Sequence, residues 1–227
     1  MHECIGHASG KLAPGTDPNA LKNYASPLEE MRADLFALYF MMDPKMSEIG
    51  LMSSDEPAKA QYDGYIRNGF LTQIVRIQPG KDIEQAHMRC RSTIAHWVYE
   101  KGKAENVIEV VKRDSKTFVR INDYQKLHGL FGEMLKEVQR IKSEGDLTAG
   151  KNMIEGFGVK IDPDLHTEML SRYAKLNLAP YSGFVNPVMT PVTDSNGKIT
   201  DVKIEYCSDY LGQMMEYGKK YSFLPAW

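Results

Sequence analysis

Met1-His2-Glu3-Cys4-Ile5-Gly6-His7 opens the chain, and the rest is arranged around it. Two imidazoles stand five residues apart, with a carboxylate directly after the first. On a regular helix i and i+4 lie about 40° apart, whereas i and i+5 diverge by about 140° at 3.6 residues per turn. His2 and His7 can meet at one point only if the helix is locally widened, as in a π-bulge. Gly6, beside the second histidine, is suited to relax that backbone. The related pattern H-E-x-x-H puts two histidines on one helix face to bind zinc, with the glutamate as a general base.

A zinc site of this kind takes a third protein ligand and keeps one position open. Ser26-Pro27-Leu28-Glu29-Glu30-Met31-Arg32-Ala33-Asp34 offers the carboxylates. Ser26 as N-cap and Pro27 at the first position predict a helix there. Leu28, Met31, Leu35, Leu38 and Met42 continue it at helical spacing until Asp43-Pro44 ends it.

H-E-x-x-G-H followed by E-E-x-R-A-D resembles dipeptidyl peptidase III, a family of zinc aminodipeptidases. The resemblance implies that His2, His7 and Glu30 bind Zn2+ and that Glu3 polarises the attacking water and shuttles its proton. It implies that Glu29 and Asp34 hold the two imidazoles. A ligating histidine usually gives its other N–H to a carboxylate, and Glu30 and Asp34, at i and i+4, share a face. Taken singly, these residues have plainer readings. Glu29 has the spacing to close a capping box with Ser26, and Glu30 and Asp34 have that of a solvated face around Arg32. Met31 departs from the family, where cysteine is frequent, but that position is not a ligand.

Gln85-Ala86-His87-Met88-Arg89-Cys90-Arg91 resembles a second family segment, Q-A-H-M-x-x-R. It implies that His87 stabilises the transition state and that Arg91 contacts a substrate carboxylate. The alternative is an amphipathic helix with both side chains in solvent. His96, His128 and His166 are given no role.

With 227 residues, 42% apolar and 26% charged, the composition is that of a globular protein. A net charge of −2 offers nothing to a nucleic acid or an anionic membrane. No apolar run is long enough to span a bilayer. Cys4, Cys90 and Cys207 are few and scattered, which argues for a reducing, cytoplasmic setting.

The pattern predicts a mostly α-helical, α+β fold. Helices are expected over 27–42, 54–77, 82–99, 123–143, 163–176 and 209–221, with a short one within 44–52. Hairpins are expected at 106–121 and, around Asp194-Ser195-Asn196-Gly197, at 188–206. Residues 1–178 read as a helical zinc lobe truncated at its start. Residues 179–227 read as a hairpin-plus-helix tail that, by the resemblance, packs on the other lobe. The chain matches only the C-terminal third of the family's polypeptides. The implied partners are an oligopeptide substrate and the N-terminal lobe of the same polypeptide. Other readings are a zinc endopeptidase, a metallohydrolase of non-peptide substrates, or a non-catalytic fragment lacking the substrate-binding lobe.

Overall fold

The computed structural model describes residues 1–178, 185–207 and 209–223. The chain divides into two compact units, Met1–Leu176 and Asn177–Trp227. Residues 179–184, at the start of the expected hairpin-plus-helix tail, lie outside the described residues.

The first unit is built on α1, Ala25–Phe40, which has almost no solvated side. Leu28, Met31, Ala33 and Leu35 are fully buried in it. Helix α5, Tyr124–Glu144, covers one flank with Leu127, Phe131, Met134, Val138 and Ile141, all fully buried. Helix α4, Ala86–Gly102, covers another with Cys90, Ile94, Ala95 and Val98. Each large apolar side chain buried this way contributes about 1.5–3 kcal/mol. Short α2, Lys45–Glu48, and α3, Glu56–Arg67, precede α4. The hairpin β1–β2, Ile108–Arg113 with Lys116–Ile121, separates α4 from α5. Helices α6, Leu147–Phe157, and α7, Pro163–Ala174, complete the unit.

Local chemistry explains most boundaries. Asp123 accepts from the Lys126 amide at 2.9 Å to start α5, and Gly145, at φ 67°, ends it in the left-handed conformation. Asp162 and Pro163 start α7 as N-cap and first residue.

Three boundaries depart from expectation. Ser26 is not the N-cap: a 3₁₀ turn over Lys22–Tyr24 runs straight into α1, placing Ser26 inside its first turn. The helix expected over 54–77 stops at Arg67 and continues as a π turn over Asn68–Thr72, then a 3₁₀ turn over Gln73–Arg76. There Gly69 lies so close to α4 that a Cβ would sit 2.5 Å from the Arg91 carbonyl oxygen. Asp82 does not begin α4; its carboxylate pairs with Lys160 at 2.7 Å, and Gln85 is the cap. Helix α6, started by Asp146, was not expected.

The second unit is the hairpin β3–β4, Pro187–Thr193 with Ile199–Tyr206, and helix α8, Tyr210–Tyr221. The buried Gln213 side chain ties α8 to the strand entry by two 2.8 Å bonds to the Asn186 backbone. Among the described residues no helix is long and apolar enough to cross a membrane.

Candidate metal centre

His2–Gly6 is a π-helical turn, the local widening that a five-residue histidine spacing demands. Gly6 matters here for a different reason from backbone relaxation. A Cβ on it would lie 2.8 Å from Ala33 Cα and 2.9 Å from Ala33 O. Glycine against buried alanine lets the turn lie directly on α1, within reach of its carboxylates.

That contact brings the expected residues together. His2 Nδ1 lies 2.7 Å from Asp34 Oδ1, and His7 Nδ1 lies 2.9 Å from Glu29 Oε1. An ionised carboxylate only accepts, so each Nδ1 is the donor and, in the neutral ring, each Nε2 is left with a lone pair. Both Nε2 atoms face Glu30 Oε2, at 3.3 Å from His2 and 3.9 Å from His7. His87, from α4, brings its Nδ1 to 3.1 Å of the same oxygen. Yet Glu30 Oε2 is buried and accepts no hydrogen bond among the described residues. The Nε2 lone pairs of His2 and His7 converging on a buried carboxylate oxygen describe a seat for a cation.

Glu3 is different. Its side chain is 84% exposed, with one oxygen 3.8 Å from His2 Nε2 and the other 4.0 Å from His7 Nε2. Ligand atoms of His2, Glu3 and His7 all lie within 4.8 Å of one another, so geometry alone lets Glu3 hold a metal too. Glu30 is nearer to both imidazoles and only 16% exposed. His87 is half-exposed, and no hydrogen bond of its Nε2 is found among the described residues. Arg91 joins Arg76, Asn68, Gln61, His2 and Asp34 in lining a polar cavity of about 450 Å³.

Glu29 closes no capping box. Its Oε1 accepts from Arg32 at 2.6 Å as well as from His7, and its Oε2 pairs with Lys142 of α5 at 2.7 Å. Burial pushes its carboxyl up, but Lys142 and His7 more than offset this and hold it at about 2. The Glu29 contact in turn raises the pKa of His7. The buried Arg32 guanidinium also donates to the carbonyls of His7, at 2.8 Å, and Ser9, tying down the chain after the π turn.

The sequence model of peptidase family M49 matches residues 15–167, more than half of the chain. The chain belongs to peptidase family M49. The matched span holds Glu29, Glu30, Asp34, His87, Arg91 and Lys142, but not the π turn. Dipeptidyl peptidase 3 of Mus musculus is 24% identical to this M49 chain over 201 residues, covering 71% of it and 27% of the mouse protein. The Homo sapiens protein of that name is 23% identical over the same shares. A solved structure of DPP III from Caldithrix abyssi matches with a TM-score of 0.55 and 24% identity, covering 76% of this chain and 30% of that one. The M49 chain thus spans less than a third of the relatives it matches, and its mostly helical α+β fold is similar to the matched part of the DPP III structure.

Sequence reasoning missed Arg32 and Lys142 as supports of Glu29, and Tyr65 and Cys90 beside Asp34. Lys142 carried a signal: it is a cation beside Ile141 on the packed side of α5, with a side chain only 15% exposed. Tyr65 and Cys90 read as ordinary core residues.

Proposed function

We propose that this chain carries the zinc centre of a peptidase that removes dipeptides from the amino terminus of oligopeptides. One observation carries the reading: two imidazoles, each fixed through Nδ1 by its own carboxylate, turn their Nε2 atoms to a buried Glu30 oxygen that accepts no hydrogen bond among the described residues. His2, His7 and Glu30 would hold the ion; a His₂Glu donor set with an open position is that of hydrolytic zinc. Zinc there supplies Lewis acidity, lowering the pKa of a water to about 7 and polarising a carbonyl.

The protein's own groups do the rest. Glu30 is mostly buried and confined, suited to a ligand; Glu3 is in solvent, where an attacking water can reach it. Glu3 takes the water's proton and returns it to the leaving amine. His87 Nε2 donates to the carbonyl oxygen as negative charge develops, an effect of about 3–4 kcal/mol in comparable sites. Glu29 and Asp34 hold the imidazoles in one tautomer. Arg91, in its polar cavity beside His2, takes a carboxylate of the peptide.

Dipeptide removal and the second lobe rest on the family. Residues 1–178 form the zinc lobe. The tail over 179–227 packs on the other lobe of the longer polypeptide, a role that suits exposed Met189, Ile199, Ile204, Tyr206 and Leu211. Free cysteines at 4, 90 and 207 suit a cytoplasmic enzyme.

Elemental analysis tests the metal: one zinc per chain is expected, with loss in Glu30→Ala. No zinc in the unmodified chain would overturn the reading. In the longer polypeptide, Glu3→Gln should keep zinc and lose turnover of a dipeptidyl arylamide; loss of zinc would instead make Glu3 a ligand. Cleavage of an amino-terminally blocked peptide at the same rate would replace dipeptide removal with endopeptidase activity.

A further inference from the structure

Asp34 is held from behind by two side chains. Its Oδ1 takes the His2 Nδ1–H, and its Oδ2 accepts from the Tyr65 hydroxyl of α3 at 2.7 Å and from the Cys90 thiol of α4 at 3.3 Å. Tyr65 Oη and Cys90 Sγ lie 3.6 Å apart, so the three groups form a closed triangle. Tyr65 is 8% exposed and Cys90 fully buried. Their partners lie 31 and 56 residues away in sequence, so neither contact follows from local helix geometry.

A carboxylate turns easily about its last torsion, and a single bond to His2 would leave it free to present either oxygen. Two donors from two further helices remove that freedom. Burial pushes up both the phenol and the thiol, so both keep the proton they donate. The other imidazole is served differently: Glu29 is clamped by the cations of Arg32 and Lys142.

We propose that Tyr65 and Cys90 are positioning residues of the metal centre, fixing Asp34 so that His2 keeps its Nδ1–H tautomer and offers Nε2 to the ion. The proposal rests on the zinc reading above and names the residues that make His2 a preorganised ligand. Cys90 is then neither a nucleophile nor a redox site but a neutral donor, placed one helical turn beyond His87. One helix, α4, thus carries both the residue facing Glu30 and a residue holding Asp34.

The test uses the 227-residue chain with ¹⁵N-labelled imidazoles, first free of metal, at one fixed alkaline pH. Tyr65→Phe removes only a hydroxyl, Cys90→Ala only a thiol, and Cys90→Ser keeps a donor of similar size. In Tyr65→Phe/Cys90→Ala the slowly exchanging His2 Nδ1–H signal should be lost, while that of His7, held by Glu29, remains. Tyr65→Phe/Cys90→Ser should recover it in part. Zinc affinity by chelator competition should fall about tenfold in the Phe/Ala pair, the low end for groups that orient a ligand. Ile154→Ala, a buried change in α6, controls for plain destabilisation and should leave both readouts alone. Persistence of the His2 signal in the Phe/Ala pair, or equal loss in Ile154→Ala, would overturn the proposal. If the unmodified chain takes up no zinc, the metal reading falls, and the metal-free His2 signal still decides this one.

Discussion

Gly6 packs against the Ala33 backbone where the π turn lies on α1, and the centre depends on that contact. A methyl on Gly6 would press on backbone atoms, which cannot rotate away as a side-chain tip can. Overpacking of this kind costs about 1–3 kcal/mol, and here it pushes His2 and His7 off the helix that carries Glu30. Gly6→Ala should therefore lower the thermal midpoint and weaken zinc binding by tenfold or more, measured by chelator competition. Unchanged affinity would mean the turn reaches Glu30 without close packing. The histidine spacing made the widened turn legible in the sequence. The work of Gly6 was not, because the demand comes from Ala33, which is distant in sequence. The same holds for Tyr65 and Cys90. Charged Glu29, Glu30 and Asp34 announce themselves in a motif, whereas neutral donors that support them look like core.

Elements whose caps and apolar faces are local were readable from sequence: α5 between Asp123 and Gly145, α7 behind Asp162-Pro163, and both hairpins. The failures lie where tertiary contact overrides local pattern. The helix from residue 54 reads as continuous, but Gly69 must come against the Arg91 carbonyl, and the backbone widens there. Helix α6 is rich in glycine and reads as punctuation; Gly150, facing Leu28 of α1, is a packing glycine within a helix. The joint between α7 and the first hairpin is also a tertiary device. Glu168 accepts from the Thr117 amide at 2.6 Å and hydroxyl at 2.7 Å, and pairs with Arg172 at 2.9 Å. Burial pushes its carboxyl up, but Thr117 and then Arg172 more than offset this, so it sits below its ordinary value. A group whose folded pKa is lowered adds stability that is complete above its unfolded value and is lost as pH falls through the folded one. Glu168→Gln should thus lower the thermal midpoint by a few degrees at neutral pH. The gap to the unmodified chain should close as pH falls below 4.5, the ordinary value for glutamate. A gap that stays constant into acid would show that the carboxylate's charge plays no part in the joint.

At the scale of the whole molecule, the two units differ in what they bury. All buried apolar side chains among the described residues, from Leu21 to Met169, fall within Met1–Leu176, as do all the side chains of the candidate metal centre. In the second unit Gln213 is the one described side chain classed as buried, and every residue of β3 and β4 is exposed. A two-stranded hairpin with no apolar face covered is marginal on its own, so cooperative stability must reside in the first unit. A chain ending at Leu176 should keep its thermal midpoint within a few degrees and its zinc affinity within about twofold, which is well under the 1.4 kcal/mol of a tenfold change. It should also aggregate less, because it sheds Met189, Ile199, Ile204, Tyr206, Leu211 and Phe223, all exposed apolar side chains. Calorimetry and chelator competition on the shortened chain measure both quantities. A loss of affinity beyond tenfold, or a collapse of the unfolding transition, would show that residues after Leu176 brace the helices carrying Glu30 and His87. Retention of both would place the whole preorganisation of the centre, from Gly6 through Asp34 to Cys90 and Lys142, within a helical unit that folds without its tail.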